Sequence, residues 1–237
     1  MGEGLGMIGR GSRALVAVLA AALVLAGCNR GNDAAPVQLQ LARASGGLVK
    51  SIFGGRKAQA RPEPTRAQLE ATGESIISLV AERREMQAYL YMADRHRDDL
   101  PGVLETWRTT DEGASLTLRD GVLVTTRGFG GDLLSTSVEL QDGHLGPLPG
   151  AVVQQIRVSD NRKRALYLSC DMADLGPEPV VILGKTHATR HLQQRCEGGG
   201  GRVVNDFWTD ARAGMIWQSR QWAGPEVGYL RVQRVTK

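Results

Sequence analysis

The feature that most constrains the fold is the division of the chain beyond residue 65 into short strand-like runs. Within these runs polar and apolar side chains alternate with a period of two, as in β-strands that bury one face. No long amphipathic helix pattern occurs between them. The runs are residues 103–109, 115–119, 122–127, 152–159, 165–170, 180–189, 216–222 and 229–235. Many short strands separated by turns predict an antiparallel sheet.

The stretch from 75 to 93 permits two interpretations. Residues 77–82 and 86–92 alternate with a period of two, and Arg83-Arg84-Glu85 supplies a polar turn between them. The Glu, Arg, Met and Leu residues of the same stretch are good helix formers, so a helix is the competing interpretation. Gly73 and the β-branched and aromatic residues favour a β-hairpin.

Local signals also predict turns and one short helix. Asp120-Gly121 joins two of the runs and is the strongest short hairpin signal in the chain. Thr65 and Gln68 match a capping box that opens a helix over residues 66–71. The predicted fold class is therefore all-β and mainly antiparallel: a curled sheet, sandwich or open barrel with one or two short helices.

The composition argues against several classes of function. The formal charge of the 237-residue chain is +4 and the excess is scattered, so nucleic-acid binding is not predicted. His187 and His191 lie four residues apart, but on a strand-like segment without a local carboxylate cluster, so neither a metal site nor a cofactor is predicted. The sequence contains no nucleophile elbow, His-Glu-x-x-His motif or phosphate-binding loop, and we do not predict an enzyme.

Cysteine usage is typical of an exported protein. Beyond Cys28 the chain contains two cysteines, Cys170 and Cys196. In an oxidising compartment such a pair usually forms a disulfide, and two unpaired buried thiols are the alternative. Closing a loop of about 26 residues stabilises a fold by roughly 3 kcal/mol in the chain-entropy model.

The N-terminus has the layout of an export signal. Arg10 and Arg13 precede residues 14–25, a run of Ala, Val and Leu that is too short for an ordinary transmembrane helix. Ala26-Gly27-Cys28 follows, and the whole segment resembles a bacterial lipoprotein signal with its lipobox. That resemblance implies cleavage before Cys28, a diacylglycerol on its sulfur and an acyl chain such as palmitate on its amino group. A free thiol in an ordinary signal or anchor helix is the alternative.

These signals divide the chain into three parts. We predict a signal peptide over residues 1–27, a lipid-anchored flexible tether over 28–64, and one β-rich domain over 65–237. The tether is rich in Gly, Ala, Arg and Pro, and as a coil of about 36 residues it spans on the order of 30 Å. Asn29 is not Asp, which by analogy with enterobacterial sorting favours the outer membrane. The predicted location is the cell envelope, with the domain facing the periplasm.

Two blocks of sequence carry a family likeness. The first runs from Leu116 to Leu133 and contains the Asp-Gly hairpin signal, and the second contains Phe207-Trp208-Thr-Asp210 and Gly214-Met-Ile-Trp217-Gln-Ser-Arg-Gln-Trp222. With the lipobox and the hairpin at 75–92, they resemble the YjbF family of group 4 capsule and exopolysaccharide lipoproteins, also called GfcB-type. The likeness extends from about residue 65 to the C-terminus. Its specific part is Trp-x-Asp followed by Gly-x-Ile-Trp-x-Ser-Arg-Gln. Phe207, where Tyr is frequent, and the long tether depart from the family pattern.

The family resemblance implies a fold and a setting, but no activity. It implies an all-β, periplasm-facing lipoprotein associated with capsule or exopolysaccharide production, and it supplies no catalytic residues to carry over. From the residues themselves we predict a glycan or partner surface formed by Trp208, Asp210, Trp217 and Arg220. Aromatic rings stack on sugar faces, while Asp and Arg bind hydroxyl groups. The alternative is structural, since Trp is usually buried and Asp–Arg pairs commonly fix turns or bridge strands.

The predicted function is an accessory role in exopolysaccharide or capsule production or export, through binding of polysaccharide or of export-machinery proteins. The only membrane contact predicted is the N-terminal lipid. A different class of function is a lipid- or acyl-chain carrier with a cavity inside a curved sheet. A third is a scaffold that docks through a sheet edge onto an export partner.

Overall fold

The computed structural model describes residues 63–158 and 161–236. The predicted signal peptide, Cys28 and nearly all of the predicted tether lie outside the described residues, so these remain predictions. Among the described residues, no helix has both the length and the apolar character needed to cross a membrane.

The described domain is built almost entirely of antiparallel strands, which confirms the predicted fold class. The helical elements are α1 (Arg66–Glu70) and a 3-10 helix (Glu82–Arg84). The strands are β1 (Ile76–Ala81), β2 (Met86–His96), β3 (Leu104–Arg108), β4 (Ser115–Arg119), β5 (Val122–Arg127), β6 (Leu133–Thr136), β7 (Gly150–Arg157), β8 (Lys163–Pro177), β9 (Val180–Ile182), β10 (Lys185–His187), β11 (Arg190–Gly198), β12 (Gly201–Asp210), β13 (Met215–Trp222) and β14 (Tyr229–Arg234).

Twelve of these strands form one curled sheet in the order β5-β4-β3-β2-β1-β14-β13-β12-β11-β8-β7-β6. The two edge strands, β5 and β6, lie side by side. Arg127 donates from Nη1 to the carbonyl oxygen of Leu133 (3.2 Å), and the Leu133 N–H donates to Oγ1 of Thr126 (2.9 Å). The sheet is therefore nearly closed and barrel-like, and its edges shield one another from pairing with another chain.

The interior of the curled sheet is narrow and filled by side chains. Gln221 of β13 reaches across it to β5, where its Nε2 donates to the Gly121 carbonyl (2.9 Å) and its Oε1 accepts from Leu123 N–H (2.8 Å). These bonds satisfy backbone groups of an edge strand, which would otherwise be buried without partners. Trp107 and Phe207 are fully buried and belong to two different apolar clusters.

The cavities within this interior are small. One has a volume of about 20 Å³ and is lined by residues that include Val152, Gln154 and Asn205, and a second has about 10 Å³. Each has room for about one water molecule. Neither of these two cavities has the space for an acyl chain that the carrier alternative requires.

An ion pair lies among the apolar side chains of the interior. Arg234 Nη2 is 2.5 Å from Glu105 Oε2, and the side chains are 12% and 8% exposed. The guanidinium lies over the Trp107 ring, 5.1 Å from its centroid. Arg95 approaches the other oxygen of Glu105 from the rim of the sheet, at 3.7 Å.

A second apolar cluster lies on the outer face of the sheet. There α1 and the β9–β10 hairpin cover part of the surface, with Leu69, Val180 and Ile182 packed in one cluster with Trp217. Arg66 fixes the helix, because its two Nη atoms donate to the carbonyl oxygens of Val235 (2.6 Å) and Ile182 (2.5 Å).

The predicted hairpins and cap agree with the structure. β1 and β2 pair across the 3-10 helix, and Asp120-Gly121 forms a two-residue turn with φ of 45° and 85°. Thr65 and Gln68 form both bonds of the capping box. The run at 180–189 differs from the prediction of one strand, because Leu183 and Gly184 take positive φ angles and divide it into β9 and β10.

The predicted disulfide is confirmed. Cys170 of β8 and Cys196 of β11 lie directly opposite each other, with a Cα–Cα distance of 4.0 Å and an S–S bond of 2.04 Å. Val152, Leu168 and Val203 surround the bridge in the sheet interior. The bond joins two strands that the sequence alone does not show to be neighbours.

Candidate functional site

The four residues predicted to form a surface lie on two neighbouring strands, with Trp208 and Asp210 on β12 and Trp217 and Arg220 on β13. A β-bulge interrupts this pairing, because Trp208 faces Gln218 whereas the next residue, Thr209, faces Ile216. Trp217 is the extra residue of the bulge. The structure therefore places the four residues close together, although strict alternation puts Trp217 and Arg220 on opposite faces.

The same bulge redirects Ile216. Strict alternation predicts that Ile216 shares a face with Arg220, and this expectation is wrong. Ile216 instead packs against Val122 and Phe207 in the interior. The extra residue shifts the alternation by one position, which a period-two pattern cannot reveal.

Trp217 and Asp210 together stabilise the β12–β13 turn. Trp217 is only 6% exposed, and its Nε1 donates to Asp210 Oδ2 (3.2 Å). Asp210 Oδ1 accepts from the backbone N–H groups of Arg212 (3.0 Å) and Ala213 (3.1 Å). Burial of Asp210 raises its pKa, but these hydrogen bonds outweigh burial, and its pKa is lowered overall. Both side chains have partners that hold the turn.

Arg220 bridges β13 to the turn between β1 and β2. Its Nε and Nη2 donate to Glu82 at 2.9 and 2.7 Å, and its guanidinium lies 3.7 Å from the centroid of the Tyr229 ring. Arg231, opposite Arg220 on β14, also binds Glu82 (3.1 Å). Glu82 thus separates two like charges on adjacent strands. Burial raises the pKa of Glu82, but the hydrogen bonds and charges of the two arginines lower it overall.

Trp208 stacks on a histidine that is held by two carboxylates. The ring centroids of Trp208 and His191 are 4.6 Å apart, with an interplanar angle of 13°. His191 Nε2 lies 2.8 Å from Asp206 Oδ1, and Nδ1 lies 2.8 Å from Glu178 Oε2. Gln193 donates to the same Asp206 oxygen (2.9 Å). Both ring nitrogens are therefore occupied, and the cluster fixes the position of the indole.

This histidine–carboxylate cluster was missed by the sequence analysis. Glu178, His191 and Asp206 are distant in sequence, and they are brought together by the β11–β12 pairing and by the connection between β8 and β9, which contains Glu178. The spacing of His191 and Asp206 about a Gly-rich turn was the available signal, because a hairpin closing at residues 198–201 places His191 opposite Trp208. Across the described ranges, no group of three His, Cys, Asp or Glu side chains is arranged to hold a metal ion.

The arrangement forms a network of contacts along the outer face of β11 to β14. Each of the four predicted residues makes at least one contact that stabilises the fold, which agrees with the structural alternative. Arg220 keeps 30% of its side chain exposed, and Trp208 is half-buried, so both also border solvent. Direct contact with a glycan at these four residues remains a prediction.

The fold is similar to that of a solved structure. The crystal structure of the hypothetical lipoprotein YmcC from Escherichia coli (K12) superposes with a TM-score of 0.61, covering 74% of this chain and 90% of that chain. The sequence identity is 19%, so this likeness shows the fold alone. No curated protein matches the chain.

Comparison with family models confirms the resemblance found in the sequence. The model described as group 4 capsule polysaccharide lipoprotein gfcB, YjbF matches residues 20–235. The match spans Cys28, the disulfide and the network on β11 to β14. The chain therefore belongs to the YjbF family of group 4 capsule polysaccharide lipoproteins.

Proposed function

We propose that this protein is an accessory factor in the production or export of an exopolysaccharide or capsule, and that it acts by binding glycan or partner proteins. The observation that carries the proposal is the family match over residues 20–235, which spans both the predicted lipid anchor and the folded domain. The family is one of capsule-associated lipoproteins and not a known class of enzyme.

A binding role fits the geometry of the described residues better than catalysis does. The nitrogens of His191 are both occupied by carboxylates, and Asp210 accepts two hydrogen bonds from its own turn and one from Trp217 on β13. The interior cavities hold about one water molecule each and do not admit a sugar. Contact with a polymer or a partner therefore takes place on the outside of the sheet.

Anchoring follows from the lipoprotein signal. Several acyl chains on Cys28 hold a protein at a membrane far more firmly than a single chain does. We propose that the chain resides at the outer membrane and that its domain faces the periplasm, in line with Asn29 after the acylated cysteine. The tether then lets the domain stand off from the lipid surface.

A deletion strain tests the accessory role. We expect deletion to lower secreted polysaccharide and the full-length gene to restore it, while Cys28→Ala yields a folded protein that does not restore it. Unchanged secretion in the deletion strain would contradict the proposed function. Full restoration by Cys28→Ala would contradict the need for a lipid anchor but not the accessory role.

The size of the polymer separates binding from catalysis. We expect the secreted polysaccharide to keep its length distribution when it is incubated with the full-length protein purified in detergent. Size-exclusion chromatography measures that distribution. Shortening of the polymer by the wild-type protein would show a lytic activity and contradict a binding role.

A further inference from the structure

One aromatic side chain on the outer face differs from all the others. The described residues contain four Trp, four Tyr and two Phe, and nine of these ten rings are buried or half-buried. Tyr167 of β8 is 70% exposed. It lies in the middle of a regular strand, where Leu166 and Leu168 on either side point into the interior. Its exposure is therefore not caused by a loop or a chain end.

Few side chains crowd Tyr167, which is 70% exposed. Ala165 and Ser169 flank it on the same face of β8, and Val153 lies opposite on β7. On the other side β8 meets the end of β11 at Gly198, where a Cβ atom would lie 2.2 Å from the carbonyl oxygen of Tyr167. Only glycine allows this close approach of the two strands. The ring is thus bordered by small side chains and bare backbone.

Polar side chains of the kind that can bind sugars lie on the same face, between Tyr167 and the β7–β8 turn. Gln155 faces Ala165, and Arg157 faces Lys163, on the outer face of the β7–β8 pair. From Tyr167 to Lys163 the strand extends about 13 Å at 3.3 Å per residue. Among the described residues, no side-chain partner binds Gln155, Arg157 or Lys163.

The charge of this surface is positive. Arg157 and Lys163 have no ion-pair partner among the described residues, whereas Glu197, the carboxylate on β11, is already bound to Arg202 (2.7 Å). Asp171 lies on the same face of β8, four residues beyond Tyr167 and away from the two cations. Arginine binds carboxylates through charge-assisted, often bidentate hydrogen bonds. A ligand with carboxylate groups therefore complements this end of the surface.

We propose that the outer face of the β7–β8 pair, with Tyr167, Gln155, Arg157 and Lys163, binds an acidic polysaccharide. The Tyr167 ring stacks on a sugar ring, Gln155 binds hydroxyl groups, and the two cations bind carboxylates of the chain. This inference rests on the proposed function and assigns a surface and a ligand class to it. It moves the glycan contact away from the network on β11 to β14, whose side chains already bind one another.

Binding measurements on the full-length protein in detergent test the surface. Alginate serves as an acidic polysaccharide and dextran as a neutral one, and the polysaccharide secreted by the parent strain is the third probe. We expect Tyr167→Ala to weaken binding of alginate by about tenfold, as for the loss of an aromatic anchor. Tyr167→Phe, which keeps the ring, is expected to bind as the wild type does.

The cations and a matched control complete the design. We expect Arg157→Gln combined with Lys163→Gln to weaken alginate binding about fivefold and to reduce its salt dependence, since the Coulombic contribution is screened by ions. Leu175→Ala removes an apolar side chain that is 50% exposed on the same strand, and we expect unchanged binding. All variants should keep the thermal midpoint of the wild type because the substituted side chains face solvent.

Three outcomes would overturn this surface. The first is that the wild-type protein binds neither alginate nor the secreted polysaccharide. The second is that the Tyr167→Ala and double-cation variants bind as tightly as the wild type. The third is a photocrosslinker at position 167 that captures a protein in cells instead of the polymer. In each case a deletion strain that still secretes less polysaccharide leaves the accessory role intact, so the two proposals fail separately.

Discussion

The sheet carries an arginine–glutamate pair on each of its faces, and their surroundings differ. On the inner face Arg234 and Glu105 are 12% and 8% exposed and lie against Trp107. On the outer face Arg220 and Glu82 are 30% and 23% exposed, and Arg231 joins them. The chemistry of the two pairs is the same, but the cost of removing the charges from water is much larger inside. The comparison shows that an ion pair inside this sheet makes the fold sensitive to loss of one partner, while the outer pair mainly joins neighbouring turns and strands.

The largest expected effect comes from breaking the inner pair. Glu105→Ala leaves the Arg234 guanidinium buried beside Trp107 without a carboxylate, and we expect the free energy of unfolding to fall by about 3–5 kcal/mol. Urea unfolding followed by tryptophan fluorescence measures this change. Replacing both partners, with Glu105→Leu and Arg234→Met, should restore most of the loss. A double variant as unstable as Glu105→Ala would show that the loss of stability comes from removing the ion pair, and not from leaving the Arg234 charge without a partner.

The disulfide is a second stabilising link on the inner face, so its removal also tests the difference between the inner and outer faces. Cys170→Ala combined with Cys196→Ala should lower the free energy of unfolding by about 3 kcal/mol, since the unfolded chain gains the freedom of the opened loop. Thermal unfolding of the double variant, compared with the wild type with and without reductant, measures the loss. Equal stability of all three samples would contradict a structural role for the bridge.

Breaking the outer pair should cost less. Glu82→Ala removes the partner of both Arg220 and Arg231, and we expect a loss of about 1 kcal/mol because the three side chains remain partly hydrated. Glu82→Gln, which keeps the shape and some of the hydrogen bonds, is the matched control. A loss as large as that of Glu105→Ala would contradict the distinction between the two faces.

The outer pair also predicts a dependence on pH. The pKa of Glu82 is lowered from its ordinary 4.5 in the folded protein. Its contribution to stability is therefore complete above pH 4.5 and is lost as the pH falls through the lowered value. Stability curves of the wild type and Glu82→Gln should converge as the pH falls through the lowered pKa of Glu82. Parallel curves over that range would show that Glu82 does not contribute through its charge.

The smallest expected effect is that of salt. Raising ionic strength from 0.05 to about 0.5 M shortens the Debye length and should weaken the outer pair by a few tenths of a kcal/mol, while the buried inner pair is little screened. Comparing the salt dependence of Glu82→Gln and Glu105→Gln with that of the wild type measures the difference. Equal salt sensitivity of both pairs would contradict the assignment of one to the interior.

Local structure was predictable from the sequence, whereas several strands were not. Short-range signals gave the α1 cap, the Asp120-Gly121 turn and the β1–β2 hairpin, because each depends on a few adjacent residues. β11 was not predicted, and β12 was predicted only at its end, where Trp208 and Asp210 were assigned to a strand, because some inward positions of both strands are polar. Gln194 and Asn205 are buried there, and Asn205 Nδ2 donates to Gln194 Oε1 (2.9 Å). A hydrogen-bonded polar pair replaces the apolar alternation on which the prediction depends.

The candidate surface was predictable only in part. The residue types near Trp208 and Trp217 stood out, but their surroundings depend on the bulge at Trp217 and on the pairing of β11 with β12. The exposure of Tyr167 likewise depends on which strands lie beside β8, since its own sequence neighbours resemble those of a buried strand. Sequence patterns give side-chain chemistry, and long-range pairing decides whether that chemistry faces water.

The position of Arg66 has a mechanical consequence. The predicted tether precedes α1, and Arg66 binds this helix to backbone oxygens of Val235, just beyond β14, and of Ile182 in the outer hairpin. A pull on the N-terminal segment therefore loads the first and last strands together, and these two are hydrogen-bonded neighbours. If the predicted tether transmits force, that force is shared between the first and last strands of the described sheet, and we expect the domain to resist unfolding from this side.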